Sequence, residues 1–217
     1  MEAKEFESRL RQGYSALLKE ASQFYMAHGD VYTTLRRLTQ RLDQEKIPYA
    51  LIGGMALAAH GFVRMTQDVD VLMTAAGLTA FGERCVGRGY VPAFPGAHTE
   101  SPCGETFRDT DTQVRIEIIT TGEYPGDGKP KPVAFPEPMA ASVEREGMRV
   151  LTIEKLIELK LASGMSAPHR LRDLADAQDL IGALKLPLDL ADRLDPSVRE
   201  TYQQMWQAAQ SADSSPR

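Results

Sequence analysis

Apolar positions first recur at helical spacing, then in short strand-like runs, then at helical spacing again. Phe6, Leu10, Tyr14, Leu17, Ala21 and Phe24 lie four and three apart, which lays one apolar stripe along a helix. Gly29 is placed to stop that helix, and Asp30 to cap a second one with the stripe Leu35, Leu38 and Leu42. Pro48 prevents its continuation. Tyr49-Ala-Leu-Ile52 then reads as a buried strand running into a tight turn at Gly53-Gly54. Met55 to His60 predicts a short helix, Val69 to Met73 a second strand, and Leu78 to Arg88 a helix stopped by Gly89. Glu105 to Arg108 and Val114 to Thr120 pair as strands around the turn Asp109-Thr-Asp-Thr112. Between Thr121 and Pro138, Pro125, Pro130, Pro132, Pro136 and Pro138 exclude regular helix, and a connection that long is commonly functional or mobile. Val143 to Leu151 reads as one extended piece. Three helices follow: one capped by Thr152, one with Pro168 in its first turn and running to about Leu184, and one over Val198 to Ala209. Ser211 to Arg217 is expected to fray.

This order predicts an α+β (mixed α/β) domain, a small mixed sheet flanked by helices. The expected parts are an N-terminal helical segment, 1–46, a core, 47–151, and a C-terminal helical segment, 152–217, packed on that core. At 217 residues, with 42% hydrophobic and 25% charged, the chain can build one core without staples. Lys and Arg total 25 against 30 Asp and Glu, a net charge of −5, which argues against a sequence-independent DNA coat but leaves room for a local basic patch. Cys85 and Cys103 form no CxxC pair or Cys/His cluster, so structural zinc is not expected, and free thiols suit a reducing cytosol. No stretch reaches the roughly 20 apolar residues of a membrane span. The opening MEAKEFESRLRQ is charged where a signal peptide is apolar. The expectation is a cytoplasmic protein with no membrane partner.

The chemistry concentrates between Leu51 and Met73. On a strand, Asp68 and Asp70 project to one side while Val69 and Val71 project to the other. Two carboxylates so close repel, and a divalent cation with a preference for hard oxygen ligands offsets that cost. Glu117, between Ile116 and Ile118, has the same setting. If its strand neighbours the first, three carboxylates meet at one sheet edge, an arrangement able to hold two metals. Gly53-Gly54 after a strand lets backbone approach a ligand closely, and the amides opening the next helix suit phosphate. Lys160 falls on the apolar stripe Ile153, Leu156, Ile157, Leu161, so its head group needs a destination. That is either the rim, by snorkelling, or nucleotide phosphates in a cleft near Gly53-Gly54. On the second reading Lys160→Met weakens nucleotide binding and leaves thermal stability intact. Arg64 either steers a phosphate or pairs with an Asp. His60 reads as a helix-end residue, Asp109 and Asp111 as turn formers, and Arg172 and Asp176 either as a helical i,i+4 pair or as part of the site.

Ile52-Gly53-Gly54, Asp68-Val69-Asp70 and Glu117 resemble the signature of the nucleotidyltransferase superfamily that shares the DNA polymerase β catalytic core. Ala59-His-Gly-Phe-Val-Arg-Met-Thr-Gln-Asp-Val-Asp70 looks like its bacterial branch of AbiEii-like toxins, and Leu156 to Ala162 with Arg170 to Asp176 is similar to that branch's C-terminal helical motifs. The resemblance spans roughly Tyr49 to Ile181, and Glu117 departs from it where Asp is commoner. It implies Mg²⁺-dependent (or Mn²⁺-dependent) transfer of a nucleoside monophosphate from an NTP to an acceptor such as tRNA, another RNA, a protein or a small molecule. Asp68, Asp70 and Glu117 would be both catalytic and metal-binding, and Gly53, Gly54, Arg64 and Lys160 would bind the nucleotide. A toxin would imply an antitoxin partner. An antibiotic-modifying enzyme and an inactive NTP-binding module remain the alternatives.

Overall fold

The computed structural model describes residues 29–63, 65–93 and 105–214. The predicted helix over Phe6 to Phe24 lies outside them. Helix α1 (Asp30–Gln44) buries Leu35, Leu38 and Leu42, as their spacing predicts. Its start differs. Gly29, extended at φ −83°, is the N-cap, and Asp30 is the first helical residue. A glycine closing a preceding helix commonly takes positive φ, and Gly29 does not. Asp30 in the first turn still favours the helix through its dipole.

Seven strands form one sheet: β1 (Tyr49–Leu51), β2 (Asp68–Met73), β3 (Tyr90–Pro92), β4 (Glu105–Asp109), β5 (Arg115–Thr120), β6 (Ser142–Arg145) and β7 (Met148–Leu151). Their order is β3-β4-β5-β2-β1-β7-β6. β2 runs parallel to β5, and β1 parallel to β7, while the remaining neighbours are antiparallel. The sheet is therefore mixed, and β2 lies near its middle. Val69, Val71, Ile116 and Ile118 are fully buried. Strand alternation turns Asp68, Asp70 and Glu117 to the opposite face.

Helices α2 (Gly53–Ala59), α3 (Ala75–Arg84), α4 (Ile153–Ser166), α5 (Leu171–Ala183) and α6 (Arg199–Ser214) complete the described fold, with short 3-10 turns before α5 and α6. α2 takes in both glycines rather than starting after them. α3 starts earlier than predicted, because the Thr74 hydroxyl accepts the Gly77 amide at 3.0 Å and caps it, and it ends earlier, at Arg84. Gly89 then serves a turn into β3, a strand too short to announce itself in the sequence. The piece 143–151 is a hairpin, β6 and β7, around Glu146 and Gly147, both at positive φ as a two-residue turn of that hand requires. α6 continues to Ser214, past the predicted end. Thr152 caps α4 as expected, its hydroxyl accepting the Lys155 amide.

α4 packs on α5, and α5 on α6; Leu156, Ile157, Leu161, Leu180, Ile181 and Tyr202 join the same core as the sheet. The loop from Thr121 to Pro138 has no helix or strand, as its prolines dictate, yet it is tied at both ends. The Gly122 amide donates to the Phe135 carbonyl and the Phe135 amide to the Glu123 carbonyl, each at 2.9 Å. Its tip meets the helical segment, where the Asp127 amide donates to Ser166 Oγ at 3.1 Å and Arg170 to the Gly126 carbonyl at 3.2 Å. No helix among the described residues is long and apolar enough to cross a membrane.

Candidate metal and nucleotide site

Parallel pairing of β2 with β5 sets Asp68 opposite Arg115 and Asp70 opposite Glu117. The register thus gathers four charged residues on one face. Carboxylate oxygens of Asp68, Asp70 and Glu117 all lie within 4.8 Å of one another, and each side chain is partly buried. Thr66 donates to Asp68 Oδ1 at 2.7 Å, and Arg115 donates to Glu117 Oε2 at 3.1 Å. Burial, together with the charges of Asp68 and Glu117, pushes the Asp70 carboxyl up from 3.8 to about 7. Burial also raises Glu117, and the Arg115 guanidinium partly offsets it. The group therefore carries a charge that the protein alone poorly compensates. The donors are all oxygens, the set preferred by a hard divalent cation, and they are placed to bind one.

The glycine turn is built around these carboxylates. Gly53 has φ +62°, a conformation L side chains rarely adopt. A β-carbon there would overlap Oδ2 of Asp70 and lie 2.7 Å from its Cγ. At Gly54 a β-carbon would lie 2.7 Å from Cβ of Thr66, the residue that holds Asp68. Gly53 thus leaves room for Asp70, and Gly54 for the threonine that holds Asp68.

A cleft of about 310 Å³ opens over this face. Gly53, Gly54, Asp68, Asp70 and Glu117 line one side, and Lys160, Ser163, Arg170 and Asp173 line the other. Pro125, Gly126 and Phe135 bring the long loop to its wall. Gly126 is needed there, since at φ +83° a β-carbon would fall 2.8 Å from the Ser163 carbonyl.

Lys160 reaches this cleft, but its ammonium is already engaged. It donates to Asp176 at 2.7 Å and to Asp173 at 3.4 Å, and only 14% of its side chain is exposed. Asp176 is drawn to Lys160 rather than serving only its own helix face. This reverses the stability expectation drawn from the apolar stripe. Lys160→Met removes the cation between a buried and a partly buried carboxylate, so we expect a loss of about 3 kcal/mol in chemical denaturation. An unchanged midpoint would show that the pair contributes nothing. Arg64 lies outside the described residues. His60 closes α2 and bonds the Leu151 carbonyl through Nε2 at 2.8 Å, a structural position. Asp109 forms the turn as read, accepting the amides of Asp111 and Thr112. Sequence reasoning passed over Thr66, Arg115 and Ser163, and quoted Arg170 and Asp173 within a helical motif without assigning them a role. Alternation on β5 was the available signal for Arg115, which shares the face of Glu117 two residues away.

No protein-family model matches the chain, and no curated protein does. Solved structures do match. The chain is similar to ANT(2'')-Ia, solved in complex with adenylyl-2''-tobramycin, at TM-score 0.51 and 14% identity over 84% of this chain and 98% of that one. It is also similar to JHP933 of Helicobacter pylori, at TM-score 0.46 and 20% identity over 83% and 89% of the two chains. A third is TM1012 of Thermotoga maritima, a presumptive nucleotidyltransferase, at TM-score 0.46 and 18% identity over 73% and 94%. The chain has the nucleotidyltransferase fold.

Proposed function

We propose that this chain is a metal-dependent nucleotidyltransferase that moves a nucleoside monophosphate from an NTP to an acceptor, with release of pyrophosphate. The observation that carries the reading is the meeting of Asp68, Asp70 and Glu117 beneath the Gly53-Gly54 turn, within a cleft of this fold. Asp68, Asp70 and Glu117 would hold Mg²⁺ or Mn²⁺. When bound, the metal supplies positive charge to the triphosphate and to the departing pyrophosphate. Thr66 fixes the Asp68 carboxylate, and Gly53 gives the Asp70 carboxylate its space. Glu117 is the group to take the proton from the acceptor hydroxyl. The backbone at Gly53-Gly54 would cradle phosphate, and Lys160 and Arg64 would contact the nucleotide, Lys160 on leaving Asp173 and Asp176.

An RNA acceptor, such as tRNA, is in keeping with the resemblance to AbiEii-like toxins, a protein or a small molecule being the other acceptor classes, and such a toxin would have an antitoxin partner. A second reading, antibiotic modification, draws on the likeness to ANT(2'')-Ia. Incubation with each α-labelled NTP, Mg²⁺ and, separately, total RNA, cell lysate protein or aminoglycosides tests both. We expect label to enter RNA and EDTA to prevent it. Label in the aminoglycoside, with resistance on expression, would establish the second reading. Label in none of the three would refute the enzymatic function and leave an NTP-binding module.

A further inference from the structure

The Asp68, Asp70 and Glu117 group includes a cation of its own. Arg115 stands opposite Asp68 in the β2–β5 register and two residues from Glu117 on the same face. Its guanidinium donates to Glu117 Oε2 at 3.1 Å, so one oxygen of the third carboxylate is engaged by the protein itself. The pair is weakly held. The Arg115 side chain is 46% exposed and that of Glu117 is 25% exposed. Ion pairs this open contribute about 0–1 kcal/mol, far less than a divalent cation gains from a carboxylate. An arginine also keeps its charge at every working pH, so it never leaves the carboxylate by deprotonation. A divalent cation at the three carboxylates would compete for the same oxygen.

We propose that Arg115 is the counter-cation that holds Glu117 in the cleft of the metal-free protein and yields it to the divalent ion, so that Arg115 sets the metal affinity of the site. Arg115 is thus a positioning residue, acting through Glu117. The inference rests on the metal-dependent reading above. Arg115 also places one positive charge among the three carboxylates, which limits their repulsion.

The test is Mn²⁺ binding to the full chain without nucleotide, followed by electron paramagnetic resonance and calorimetry, with circular dichroism to verify folding. Arg115→Met is expected to bind Mn²⁺ about threefold to tenfold more tightly than the parent protein. Arg115→Lys should restore an affinity close to the parent's. In a Glu117→Gln background, Arg115→Met should have at most a small effect, because the group it competes for is gone. An unchanged or weaker affinity in Arg115→Met would overturn the proposal. So would an equal gain in the Glu117→Gln background, which would reduce Arg115 to a distant charge. If neither the parent nor any variant binds Mn²⁺ at millimolar concentration, the metal-dependent reading falls and this inference falls with it. Binding by the parent with no response to Arg115→Met removes the inference alone.

Discussion

Asp70→Asn is expected to lower nucleotidyl transfer by about a thousandfold or more while raising the melting temperature of the metal-free protein at pH 8. The two effects have one source. The Asp70 carboxyl is raised from 3.8 to about 7 by burial and by the neighbouring charges of Asp68 and Glu117. The folded state therefore binds this proton more tightly than the unfolded state does. Below pH 4 both states are protonated and Asp70 costs nothing. Between about pH 4 and 7 the unfolded chain ionises first, and the metal-free fold loses stability as pH rises. Above pH 7 the penalty is complete, with an upper limit of about 4 kcal/mol for this rise. Asparagine keeps the shape and removes the charge. Melts in EDTA should therefore place the variant above the parent at pH 8 and close to it at pH 4. Saturating Mg²⁺ should narrow the gap at pH 8, because only the parent retains all three ligands. A variant that melts below the parent at pH 8 in EDTA would show that Asp70 has a structural role and is not a strained ligand.

The residues behind that prediction were legible because they depend on local alternation. Asp68 and Asp70 share a face by strand geometry, and so do Arg115 and Glu117. What the sequence left open was whether β2 and β5 are neighbours, and the parallel register supplies that. Lys160 shows the opposite case. Its inward position was legible from the spacing of Leu156, Ile157 and Leu161, but its partners come from another helix. Asp173 and Asp176, three apart and on one face of α5, meet it only because α5 packs on α4. β3 illustrates a different limit. Tyr90-Val-Pro92 has no period to read, and its assignment rests on hydrogen bonds to β4. The Glu146-Gly147 turn was missed for a chemical reason: Glu is a weak occupant of a position that requires positive φ, where Asn or Asp would have announced the hairpin. The starts of α1 and α3 moved because Gly29 and Thr74 act as N-caps, a role that single residues signal poorly.

Gly53→Ala is expected to remove metal binding as thoroughly as loss of an aspartate, and to lower stability as well. Two costs combine. The residue sits at φ +62°, where a β-carbon costs about 1–2 kcal/mol. That β-carbon would also overlap Oδ2 of Asp70 and lie 2.7 Å from its Cγ and 2.9 Å from its Cβ. The obstruction lies on a central strand, so the carboxylate must rotate away from Asp68 and Glu117 or the turn must open. Either response breaks the convergence of the three oxygens. Transfer should fall by at least about a hundredfold, and Mn²⁺ affinity should fall with it. The comparison with Asp70→Asn is informative. Both variants lose the metal, but Asp70→Asn should gain thermal stability in EDTA and Gly53→Ala should lose it. Pairing Gly53→Ala with Asp70→Gly removes the atoms in conflict, so the alanine at 53 should then cost only its backbone strain, and a double-mutant cycle on unfolding free energy measures the difference. A glycine needed solely to admit phosphate would behave otherwise: Gly53→Ala would raise the KM for NTP, leave Mn²⁺ binding at the parent value, and show no coupling to Asp70.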